Sequence, residues 1–178
     1  MSSLKKPMHV KCVIAFFSNN NNILDKTEKH LIKKYGKTDY KSADVDFSET
    51  DYYEDEMGQK LIMRFISFEK LVKRNKLPAI KKFCIRAEKK FSIKKESELK
   101  RTVNIDPGLL SMENFILATG KPYSHRVYLG KGVWADLTLI YTKDGFKKLE
   151  WTYPNYSSLK VKKILTDIRN IYRVRLKK

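Results

Sequence analysis

Residues 101–110 read RTVNIDPGLL, and the fold turns on what the chain does at Asp106. Thr102, Val103 and Ile105 are β-branched and suit a pleated strand. Asp106, Pro107 and Gly108 then match a type II turn: a carboxylate that can accept backbone amides, a proline with its dihedral already set, and a glycine free to take a positive one. The spacing therefore predicts a strand that stops at Asp106 and leaves this carboxylate at a strand end. Asp106 is a turn residue first and a site residue second.

Upstream, HVKCVIAFFS (His9 to Ser18) is aromatic and β-branched over most of its length and predicts a buried strand running into a loop of four asparagines. Asp25 and Glu28 are spaced as a capping box. With Leu31, Ile32 and Tyr35 on one face and Gly36 as C-cap, they predict a short helix. LIMRFISFE (Leu61 to Glu69) reads as a central strand. After Pro78, the positions Ile80, Phe83, Cys84, Ala87 and Phe91 keep helical spacing, with Lys81, Lys82, Lys89 and Lys90 assigned to the outer side.

Downstream, MENFILATG (Met112 to Gly120) reads as a short helix or loop turn. HRVYLGKG, VWADLTLIY and FKKLEWTY read as successive strands, turning at 130–132 and 143–145. Trp134, Asp136, Thr138 and Ile140 alternate with Ala135, Leu137, Leu139 and Tyr141, which predicts one polar and one buried face. Trp151, Tyr153 and Tyr156 around Pro154 suggest a packed corner rather than a stacking platform. A closing helix turns Val161, Ile164, Leu165, Ile168, Ile171 and Tyr172 inward. The expected fold is α+β: one domain over 1–178, a mixed, mostly antiparallel sheet packed with about three helices, its first part a ferredoxin-like split βαβ. Residues 1–7 are expected to form a disordered tail.

Charge is uneven. The chain carries a net +18, with thirty lysines against eight arginines, while residues 39–56 alone carry −7. Lysine lacks the planar fork that makes arginine the favoured phosphate and base reader, so the excess points to a Lys-rich surface before a nucleic-acid footprint. The acidic stretch at 39–58 is expected to be a loop or short strand facing that surface. No apolar run approaches the roughly 20 residues that span a bilayer, and no cleavable signal follows Lys5 and Lys6. Cys12 and Cys84 stand apart within apolar patterns, as in a reduced cytoplasmic protein.

The chain has no phosphate-binding GxxxxGK[ST] loop, no HExxH and no nucleophile elbow. What remains is polar residues at strand ends of the C-terminal half. Asp106, His125, Asp136 and Glu150 are candidates for acid–base work, and Asp106 and Asp136 for holding Mg²⁺. Arg101, Asn104, Arg126, Lys131 and Glu54 are candidates for binding a ligand, with Glu56 a further possibility beside Glu54. Each has a plainer role: His125 can bond a carbonyl, and Arg126 can pair with Asp136 or Glu150 as a structural ion pair.

The ordered blocks TDYYEDEMG, LIMRFISFEKLV, RTVNIDPGLL, FILATGK, HRVYLGKGVWADLTLIY and EWTYPNY resemble a bacterial family catalogued as domain of unknown function four-four-one-six. The resemblance implies a small cytoplasmic single-domain protein and supplies no activity. The family pattern has tyrosine at Leu109, glutamate at Asp136 and aspartate at Asn155; the last change removes a carboxylate, which makes position 155 a poor acid–base candidate.

Three expectations follow. The polar cluster binds or turns over a phosphorylated or nucleotide-like ligand, and is finished as an idea if Asp106, His125, Arg126 and Asp136 scatter. Alternatively, the basic faces at 81–90 and 160–173 bind RNA or another polyanion weakly and without sequence preference. The third possibility is a structural or partner-binding protein.

Overall fold

The computed structural model describes residues 3–47, 54–95 and 97–177. Its centre is β1 (Lys11–Ser18), buried at all eight positions. Antiparallel neighbours flank β1 on both sides: β4 (Leu61–Phe68), with Ala15 opposite Phe65, and β7 (Asn104–Leu110), with Ala15 opposite Asp106. On the far side of β4 lie the edge strands β2 (Thr38–Lys41) and β3 (Val45–Phe47). The order β7-β1-β4-β2, all antiparallel, is that of a split βαβ fold. Within the acidic stretch expected as a loop or short strand, 39–41 and 45–47 belong to these edge strands, 48–53 lie outside the described residues, and the one-turn helix α2 (Glu54–Met57) follows.

Helix α1 (Asn21–Tyr35) starts earlier than the capping-box spacing suggests. Asn20 Oδ1 accepts the N–H groups of Asn22 and Ile23 at 2.9 and 3.3 Å, so the asparagine run is a helix cap, not a loop. Asp25 and Glu28 serve Arg64 of β4 instead. That guanidinium, 8% exposed, bonds Asp25, Glu28 and Asp44 at 2.8–2.9 Å and ties α1 and the β2–β3 connection to the sheet. Gly36, at φ +90°, ends α1, where its N–H reaches the Ile32 carbonyl. Helix α3 (Leu77–Phe91) packs beside α1. Together they bury Leu24, Leu31, Ile80 and Cys84 on Ile14, Phe16 and Ile66.

Asp106-Pro107-Gly108 is not a turn. Strand β7 runs straight through it, and Gly108 has no positive φ. The strand reverses only at Ser111, and MENFILATG is largely strand: β8 (Asn114–Thr119) returns along β7, pairing Leu110 with Phe115 and Gly108 with Leu117. Gly108 is required by close approach. A Cβ there would lie 2.6 Å from the Phe115 ring and 2.8 Å from the Ile116 carbonyl oxygen.

Strand β10 (Val133–Thr142) pairs with β8 on one edge. On the other it carries β9 (Arg126–Gly130) and then β11 (Gly145–Lys148), as the turn glycines predict. The simple alternation along β10 fails at Thr138. A bulge between Leu137 and Leu139 shifts the register, leaving Asp136 2% exposed and Thr138 wholly buried. After the one-turn helix α4 (Pro154–Ser157), α5 (Leu159–Arg175) covers the face opposite α1 and α3. Its Val161, Leu165, Ile168 and Tyr172 meet Val13, Ala15, Phe65 and Leu139 there. A small separate hairpin, β5 (Ile93–Lys95) with β6 (Glu98–Lys100), links α3 to β7.

Gly108→Ala should destabilise the protein by about 1–3 kcal/mol, the usual cost of overpacking. Urea unfolding of the variant should show a lower midpoint at unchanged slope, and Phe115→Leu added to it should recover part of the loss.

Candidate functional site

Strand β7 parts from β8 beyond Gly108, and the reason is chemical. In an antiparallel pair, alternate residues direct N–H and C=O toward alternate neighbours. The N–H of Ile105 points away from β1, so two residues on Pro107 faces the same side with no N–H to offer. β8 cannot continue the ladder there. Helix α3 takes its place. Glu88 Oε1 accepts the Ile105 N–H at 2.7 Å, and Lys81 Nζ donates to the Ile105 carbonyl at 3.2 Å. Both residues are buried, Lys81 at 8% exposure against its expected outward position. Burial raises the Glu88 pKa. Burial also works against the Lys81 charge, but Asp106 and Glu88 outweigh it and raise the Lys81 pKa.

This seam organises the first polar network. Asp106 receives Lys81 at 3.3 Å on one oxygen and Asn104 Nδ2 at 2.8 Å on the other. Arg101 donates to Asn104 Oδ1 at 2.9 Å and grips both oxygens of Glu56 on α2. That two-pronged bond holds Glu56 below the usual carboxylate range. Three of the expected residues, Arg101, Asn104 and Asp106, are therefore neighbours, together with Glu56. The Glu54 side chain lies outside what is described.

The second network surrounds Asp136. His125 Nε2 lies 3.1 Å from Asp136 Oδ2, and Arg126 Nε donates to the same oxygen at 2.9 Å. Thr138 Oγ1, raised by the bulge, donates to Oδ1 at 3.1 Å. Arg126 spends its remaining nitrogens on the Lys121 carbonyl and the Tyr153 hydroxyl, at 3.0 and 2.9 Å. It acts as a clamp within the protein, the plainer of its two expected roles. His125 is held between rings: Trp151 stacks on it at 4.7 Å, nearly parallel, and Tyr123 tilts against it at 5.2 Å. With Nε2 turned toward Asp136, Nδ1 is the ring nitrogen left for another partner.

The bulge also places Trp151. Its indole N–H donates to the Leu137 carbonyl at 2.8 Å, and Thr152 Oγ1 donates to the Thr138 carbonyl at 2.6 Å, stitching the turn after β11 onto β10. The expected packed corner divides: Tyr156 is core, against Phe65 and Phe115, while Trp151 and Tyr153 remain 37% and 50% exposed beside His125. Asn155 Oδ1, on α4, is buried with no hydrogen-bond partner among the described residues.

Asp106 and Asp136 project from the same face. Asp106 lies opposite Ala15, Asp136 lies opposite Leu117, and both of these belong to the core under α5. Strand β8 stands between them. Each carboxylate is already engaged by its own cation, which does not fit the shared Mg²⁺ site expected of the pair, and no three His, Cys, Asp or Glu side chains group as metal ligands among the described residues. Glu150 is not on a strand; β11 ends at Lys148, leaving it on the exposed turn. Lys131 sits at the tip of the β9–β10 turn at φ +58°, with its side chain exposed. The basic faces of α3 and α5 lie on opposite sides of the sheet, so they do not form one polyanion footprint. No helix among the described residues is long and apolar enough to cross a membrane.

An α+β sheet carrying two charged networks at one end thus defines the kind of domain this is. The chain belongs to the family described as a domain of unknown function (DUF4416), whose model matches residues 8–172. No curated protein and no solved structure matches it.

Two outcomes test the networks. Glu88→Gln, which keeps an acceptor for Ile105, should leave thermal stability near wild type. Glu88→Leu orphans a buried N–H and should cost about 1–3 kcal/mol. Glu56 has a folded pKa below its unfolded one, so its stabilisation is complete above the unfolded value and lost as pH falls through the folded one. Glu56→Gln should therefore flatten the acid limb of a stability-versus-pH curve and leave its alkaline limb unchanged.

Proposed function

We propose that the protein binds a phosphorylated, nucleotide-like small molecule against Trp151 and Tyr153, with His125 as the group that exchanges a proton with it. The carrying observation is the buried Asp136 carboxylate, which fixes His125 and Arg126 side by side while Trp151 keeps ring surface open to solvent. Exposed aromatic rings accept any base on their faces. A net charge of +18 draws phosphorylated molecules toward the surface, and Lys121 supplies positive charge on the loop beside Arg126. The unpartnered Asn155 Oδ1 adds a buried acceptor two residues from Tyr153 that a ligand donor would satisfy. In this reading the protein works in the reducing cytoplasm, where Cys12 and Cys84 stay free.

Calorimetric titration and thermal shift with AMP, ATP, ribose 5-phosphate and inorganic phosphate test this. A nucleotide at 100 times its Kd should add about 2.7 kcal/mol to stability. Trp151→Ala should weaken nucleotide binding by about 1–3 kcal/mol while leaving ribose 5-phosphate binding unchanged. If no nucleotide shifts the melting temperature, or the Trp151→Ala protein binds as wild type does, the proposal fails.

A further inference from the structure

On the opposite face of the sheet, a cavity of about 360 Å³ lies between the end of α1, the first turns of α3 and the end of β4. Its floor and walls are Cys12, Tyr35, Phe68, Ile80 and Phe83. The three rings lean on one another, Tyr35 lying 5.3 Å from Phe68 and 5.5 Å from Phe83. Burial pushes the Cys12 thiol up to about 12 and raises the Tyr35 phenol, so both remain neutral components of an apolar wall. The thiol is no nucleophile there.

The rim is different in kind. Lys34, Lys70, Lys76 and Arg86 line the opening, and no acidic residue lines it. All four are exposed. The four rim cations have no carboxylate within ion-pair distance among the described residues. Four like charges around one mouth repel one another, and they relax when an anion enters. The size falls within the range of small-molecule sites, roughly 300–1,000 Å³.

We infer that this cavity is a binding site for an aromatic anion, an aryl carboxylate or aryl phosphate whose ring lies against Tyr35, Phe68 and Phe83 and whose charge meets the rim. A ring suits the walls better than a flexible chain. Three rings form part of the walls, and His30 stacks on Phe83 at 5.3 Å and 10°, holding that ring in place. The site is independent of His125 and Asp136, which lie across the sheet.

The test uses 8-anilinonaphthalene-1-sulfonate and its neutral relative N-phenyl-1-naphthylamine as fluorescent probes of the full-length native chain. The anionic dye should bind saturably with one site per chain, and the neutral one more weakly. Ala79→Trp, which fills the mouth, should abolish binding, and the double variant Lys76→Gln/Arg86→Gln should weaken the anionic dye roughly fivefold or more while leaving the neutral one unchanged. Circular dichroism melts identify any variant that fails to fold, and Lys148→Gln, at an exposed position of β11, serves as a folded control that must bind the dye normally. Indole-3-carboxylate should displace the dye and indole should not. Dye binding indifferent to both variants would overturn the proposal, as would displacement by dodecanoate but not by the aryl carboxylate.

Discussion

Pro107 has no N–H to give, and it sits in the middle of a central strand. From that one missing donor follows the parting of β7 from β8, since the ladder has nothing to bond at Pro107 on the β8 side. A buried backbone amide still has to be satisfied. At Ile105 the partners are side chains of α3, Glu88 for the N–H and Lys81 for the carbonyl. The helix therefore serves as both the layer covering the sheet and, for one residue, its next strand. Gly108 completes the device by letting the Phe115 ring approach β7 closely where pairing resumes.

The seam has consequences for chemistry. It turns Asp106 from a turn residue into one lip of a split, bonded to a lysine that a simple amphipathic helix would have left in water. Asp136, on the other side of β8, gathers a separate set of partners, and the bulge at Thr138 supplies both a donor to that carboxylate and the carbonyl groups that hold Trp151 and Thr152. Two irregularities, a proline and a bulge, thus position both charged networks, and each is a point where a strand fails to pair in the ordinary way.

Much of the architecture was legible in the sequence. The doubly buried β1, the amphipathic α3 and α5, the C-terminal meander and the βαββαβ order all follow from apolar spacing, because burial on one or two faces leaves a periodic trace. The grouping of His125, Arg126 and Asp136 was legible too, as polar residues on adjacent strands. Asp-Pro-Gly misled because its turn chemistry is local, whereas its actual role depends on α3 and Phe115, both distant in sequence. Lys81 misled for the same reason: on a helical wheel it belongs with Lys82, and only the unpaired carbonyl of Ile105 draws it inward. The distinction between Trp151 and Tyr156 hangs on the Thr138 bulge, which alternation alone cannot reveal.

Amide hydrogen exchange at Ile105 tests the seam most directly. The Ile105 N–H should exchange as slowly as the amides of β1, although no strand pairs with it on its N–H side, and in Glu88→Leu its protection should fall selectively while β1 stays protected. Rapid exchange of Ile105 in the wild-type protein would contradict the account, because it would mean that α3 does not close the edge that Pro107 leaves open.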